Sequence, residues 1–174
     1  MKQTILLLSI ASAILLSCET EIPEVDTTPP RIELFITGPG VDQQLSNPPQ
    51  AVWTGPSGRV FDLQPNAVYN FSLIVSDQGG VSRAHLRFAN DLIIEEVSPS
   101  GTTVTSEGIS HILSLRGDAS NPLTGLAISG RFRTPNRNNL FFPFLSEGDD
   151  FGGAARRPNR QFMRVDAAVN TSAP

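Results

Sequence analysis

From Arg31 to Val169 apolar residues recur at every second position in short runs. Turn formers break these runs at intervals too short for helices of ordinary length. Arg31 to Ile36 places Ile32, Leu34 and Ile36 on one side of a strand, and Gly38-Pro39-Gly40 stops it. Val68 to Val75 is the clearest alternation, with Tyr69, Phe71, Leu73 and Val75 sharing a face. Ser76-Asp77-Gln78-Gly79-Gly80 turns the chain. Val81 to Phe88 then returns with Ala84, Leu86 and Phe88 inward and Arg83, His85 and Arg87 outward. Leu92 to Val97, His111 to Leu115, Gly125 to Arg133, Leu140 to Leu145 and Gln161 to Val169 bring the set to about eight strands. Asn47 to Gly58, rich in Pro and Gly, reads as a loop or frayed edge. No helix is predicted. Many short strands in a chain of 174 residues argue for an all-β sandwich, since a single open sheet would leave an apolar face uncovered.

The amino terminus follows a different pattern. Met1-Lys2-Gln3 is a short basic segment, and Ile5 to Leu16 is an apolar run too short to span a bilayer, which needs about 20 residues. It reads as an export signal. Leu15-Leu16-Ser17-Cys18 resembles the lipobox of bacterial lipoproteins, with an aliphatic residue three before the cysteine and a small one just before it. The resemblance implies cleavage before Cys18 and acylation there, which makes Cys18 a membrane anchor without a spanning helix. The implied segments are a signal peptide at 1–17, an acidic Pro-rich tether at 18–30, a sandwich at 31–169 and a tail at 170–174. Glu19 and Glu21, directly after Cys18, resemble a surface-export signal of some Gram-negative lipoproteins. The expected location is therefore the outer membrane, with its outer face favoured over the periplasmic one. Asp26-Thr27-Thr28 resembles an O-glycosylation acceptor, although a plain linker is the favoured reading.

Pro30-Arg31-Ile32-Glu33-Leu34, then Tyr69 to Asp77 with Gly80, then Val81 to Asn90, resembles the bacterial immunoglobulin-like domains of surface proteins. The resemblance covers Thr28 to Val97 and implies an immunoglobulin-like antiparallel sandwich of about 7–8 strands. The stretch near 134–160 is longer than that pattern requires and reads as a long loop with a short hairpin at Asn139 to Leu145.

Charge narrows the function classes. The chain carries a net −4. Loss of the leader removes Lys2, the only lysine, leaving 12 Arg against 17 acids, or −5. That balance gives no reason to expect nucleic acid. With one cysteine no internal disulfide forms, so packing alone holds the domain. Arg131, Arg133 and Arg137, with Arg156, Arg157 and Arg160 across the long loop, form a candidate patch for carboxylated or phosphorylated glycans. Trp53, with Phe141 or Phe142, is a candidate stacking platform for sugars. Glu147, Asp149 and Asp150 are weak candidates for calcium, because they lack the alternating spacing of a calcium loop. His85 and His111 lack the spacing of a ligand pair, and no nucleophile-base arrangement can be identified. No cofactor is called for. The expected function is a lipid-anchored, non-enzymatic envelope module that binds a protein or glycan through its loops. The alternative is a structural or assembly lipoprotein.

Overall fold

The computed structural model describes residues 22, 25–47, 61–152 and 158–171. Cys18, Glu19, Glu21, Trp53, Arg156 and Arg157 lie outside the described residues, as does the whole of 1–17. The described chain is an all-β sandwich of two sheets with no helix. Its strands are β1 (Arg31–Gly38), β2 (Val41–Asn47), β3 (Phe61–Leu63), β4 (Val68–Ser76), β5 (Val81–Ala89), β6 (Ile93–Ser98), β7 (Thr103–Glu107), β8 (Ser110–Arg116), β9 (Gly125–Arg133), β10 (Leu140–Asp150) and β11 (Arg160–Val169). One sheet has the order β2-β1-β4-β9-β6 and the other β3-β11-β10-β5-β8-β7. All pairings are antiparallel except β3 with β11.

Alternation puts one face of each sheet into a shared core. Tyr69, Phe71, Leu73 and Val75 are buried from β4, and Ala84, Leu86 and Phe88 from β5, as the sequence predicts. An aromatic cluster closes the middle, with the Phe88 ring 6.0 Å from Phe71, 6.0 Å from Phe132 and 5.8 Å from Phe144. Offset and edge-on aromatic pairs of this kind add about 0.5–1.5 kcal/mol each beyond the area they bury.

The chain forms more strands than its alternation reveals. β2, β3 and β7 are edge strands, and β7 (Thr-Val-Thr-Ser-Glu) is exposed throughout, so no apolar period marks it. The long loop expected near 134–160 is corrected. Leu140 to Asp150 is one eleven-residue strand, held between β11 and β5 in the middle of its sheet. Its second half reads Ser146-Glu147-Gly148-Asp149-Asp150 and looks like a loop. Gly148 nevertheless lies inward opposite Ala84, where a β-carbon would press on Val75. Residues 151, 152, 158 and 159 lie outside any strand.

The tether and tail are also shorter than read. Asn159 donates from Nδ2 to the carbonyl of Asp26 at 3.0 Å, and Pro30 is buried, so residues near 26–30 lie on the sandwich. Asn170 donates its N–H to Leu63 O at 2.8 Å, and Thr171 donates to Asn138 Oδ1 at 2.8 Å, which binds the start of the tail.

Candidate functional site

The strands run between two ends about 30 Å apart, the length of nine-residue β5. At the tether end the β4–β5 turn, the end of β10 and the approach to β11 meet residues 26–31. There Asp26, Asp77 and Asp150 bring carboxylate oxygens within 4.8 Å of one another. Asp150 is fully buried and held twice by Asn159, from its N–H and from Nδ2, each at 2.7 Å. Asp77 caps its own turn by accepting the Gly79 N–H at 2.7 Å. Burial pushes the Asp77 carboxyl up to about 6. The Gly79 bond opposes that rise, while the charges of Asp26 and Asp150 add to it. A cleft of about 520 Å³, lined by Thr28, Pro29, Ser76 and Gln78 among others, opens beside Asp77. Carboxylates this close suit a shared proton or a hard cation.

The predicted calcium candidates do not form this cluster. Asp150 points inward, whereas Glu147 and Asp149 project to the outer face of their sheet. Asp149 lies between Arg83 Nη2 at 2.8 Å and Arg160 Nε at 2.8 Å, and Glu147 lies 3.4 Å from Arg83. Alternation along a strand separates neighbours that a loop would have allowed to converge. Asp77 and Asp26 were missed as partners of Asp150, because only the sheet topology joins three segments so distant in sequence.

The predicted arginine patch is divided between the sheets. Arg131 and Arg133 stand on β9, where Glu96 and Glu95 of β6 pair with them at 3.1 Å and 2.7 Å, and Arg137 is paired with Asp91 at 3.2 Å. Arg160 belongs to the other sheet and is held by Asp149. These four do not converge on one ligand. Phe142 is core, and Phe141 is 63% exposed.

His111 uses both ring nitrogens structurally, with Nδ1 3.0 Å from Ser106 Oγ and Nε2 3.1 Å from Leu92 O. This contact ties the β7–β8 turn to the β5–β6 turn, and Asn90 adds bonds to the carbonyls of Ile109 at 2.9 Å and Gly108 at 3.1 Å. The two joined turns lie at the end remote from the tether. They carry two exposed apolar side chains, Ile109 at 81% and Ile93 at 57%. An apolar residue in the otherwise polar Glu107-Gly108-Ile109-Ser110 was the sequence signal for this feature.

The chain matches no family model. No curated protein matches it either. Among solved structures it is similar to a non-cellulosomal cohesin from the hyperthermophilic archaeon Archaeoglobus fulgidus, at 14% identity over 64% of this chain and 86% of that one, with a TM-score of 0.39. It is similar to a type III cohesin module from a cell-surface anchoring scaffoldin of Ruminococcus flavefaciens, at 10% identity, 64% and 84% coverage and a TM-score of 0.38. It is also similar to a collagen-binding domain from a Staphylococcus aureus adhesin, at 8% identity, 78% and 96% coverage and a TM-score of 0.37. Likeness at this level assigns no ligand.

Proposed function

We propose that this chain is a lipid-anchored, non-enzymatic interaction module of a bacterial outer membrane. In this reading the lipid sits on Cys18, the domain faces outward, and the loops remote from the tether bind a protein or glycan. The observation that carries the reading is the polarity of the sandwich. Residues 26–31 enter at one end, while the joined turns bearing Ile93 and Ile109 stand at the other. Exposed branched side chains on a hydrogen-bonded pair of turns cost solvation and contribute nothing to the core, as expected of a surface kept for a partner. His111 is committed through both ring nitrogens to holding those turns together.

Metabolic labelling with radioactive palmitate tests the anchor. The wild-type protein is expected to carry label that Cys18→Ala abolishes. An unlabelled wild-type protein, produced at normal levels, would refute the anchoring.

A further inference from the structure

The outer face of the six-stranded sheet carries an arrangement of charge that neither the anchor nor the loops explain. Cross-strand register sets out three rows on this face. The first runs Arg160, Asp149, Arg83, Arg116. The second runs Phe162, Glu147, His85, Ser114, and the third runs Arg164, Leu145, Arg87, Ile112. Over these rows five arginines meet two carboxylates, in a chain whose net charge is −4. Asp166, one row further on, engages Arg164 at 2.9 Å.

Two features of the rows work against the fold. Arg83 and Arg116 stand directly opposite each other on β5 and β8, a like-charge pair that destabilises a sheet. Arg87 lies between Leu145 and Ile112, neither of which offers it an acceptor across the strand. Arg83 Nε and His85 Nδ1 are buried here with no hydrogen-bond partner. The opposite sheet shows how this protein normally treats surface arginines, since Arg131 and Arg133 each face a glutamate across β6.

We infer that this face docks the acidic surface of a protein partner, whose carboxylates complete the arginine rows. Guanidinium forks match carboxylates two bonds at a time, and the cations of these rows are all arginines. Phe162 is 54% exposed on the same face, with the Arg160 guanidinium 6.0 Å from its ring centre. Arginine and aromatic residues together are the composition of protein–protein interfaces. Leu145 and Ile112 supply an apolar floor between the charges. The inference rests on the reading of the chain as an interaction module, but it concerns a surface other than the loops and is independent of the anchor.

The test uses the full chain in a nonionic detergent, with fluorescently labelled poly-L-glutamate as the probe. The wild-type protein is expected to bind it, and binding should weaken as salt is raised. Arg87→Glu with Arg116→Glu should lower affinity by about tenfold or more. The milder Arg87→Gln with Arg116→Gln should lower it by a smaller factor, while Arg31→Gln on the other sheet should leave it unchanged. Absence of wild-type binding, or equal binding by both double variants and wild type, would overturn the inference. Binding of polygalacturonate as tight as that of poly-L-glutamate would overturn the assignment to a protein partner. Palmitate labelling is unaffected by these substitutions, so failure here leaves the anchoring reading standing.

Discussion

Gly130 on β9 stands directly opposite Phe71 on β4, and the Phe71 ring occupies the space that a side chain at 130 would need. A β-carbon there would lie 2.8 Å from Phe71 Cζ and would also press on the carbonyl oxygen of Glu96. Phe71 in turn packs 6.3 Å from Phe132 and 6.0 Å from Phe88, so the ring cannot withdraw without disturbing the aromatic cluster. Gly130→Ala is therefore expected to destabilise the domain by about 1–3 kcal/mol, the range of overpacked cores. Urea denaturation followed by tyrosine and tryptophan fluorescence measures it, and a midpoint unchanged from wild type would refute the packing described.

Asp149 holds two arginines, and its own side chain is only 9% exposed. Asp149→Ala leaves Arg160 without its carboxylate and leaves Arg83 with only the more distant Glu147, at 3.4 Å. The expected loss is about 1–3 kcal/mol, the worth of hydrogen bonds to charged groups where water still reaches the arginines. Asp149→Asn keeps acceptor capacity and should lose less. Equal melting temperatures for wild type and Asp149→Ala would contradict the ion-pair geometry.

The cluster at the tether end gives a pH dependence of definite sign. The folded domain binds the Asp77 proton more tightly than the unfolded chain, whose carboxyl titrates near 3.8, because burial raises the folded value to about 6. Its negative charge therefore opposes folding at neutral pH, and that opposition fades as pH falls from about 6 towards about 4. His85 acts in the other direction. Burial, opposed by Glu147, holds its pKa below 6.5, so the unfolded chain takes up that proton first and stability falls as pH drops through 6.5. Comparing Asp77→Asn with wild type cancels the histidine. The variant, which can still accept the Gly79 N–H, is expected to melt higher than wild type at pH 7 and alike at about pH 4. A constant difference across that range would show that Asp77 is not the group concerned.

The sandwich was legible wherever a strand buries one face, because alternation is then imposed by the core. β1, β4 and β5 were read with their facing correct, down to Arg83, His85 and Arg87 pointing outward. β7 escaped because an edge strand with exposed side chains carries no such constraint, and β2 because its two apolar residues, Val41 and Leu45, are too few and too widely spaced to mark an alternation. The second half of β10 was misread for a different reason. Its glycine and acids suit a turn in isolation, but Gly148 fits where Val75 of the facing sheet leaves no room for a side chain, and Asp149 and Asp150 are stabilised by Arg83, Arg160 and Asn159 from other segments. The arginine patch failed because residues close in sequence can lie on different sheets. The face that does gather arginines draws Arg83, Arg87 and Arg116 from the middle of the chain, and register alone aligns them with Arg160 and Arg164.

The central claim, a lipid-anchored module displayed outside the cell, is tested most directly by protease treatment of intact cells carrying the wild-type chain or Cys18→Ala. The account predicts that wild-type protein is lost from intact cells, while an internal periplasmic marker survives, and that Cys18→Ala protein is absent from the cell surface. Full protection of the wild-type protein, under conditions where a known surface protein is cleaved, would contradict it.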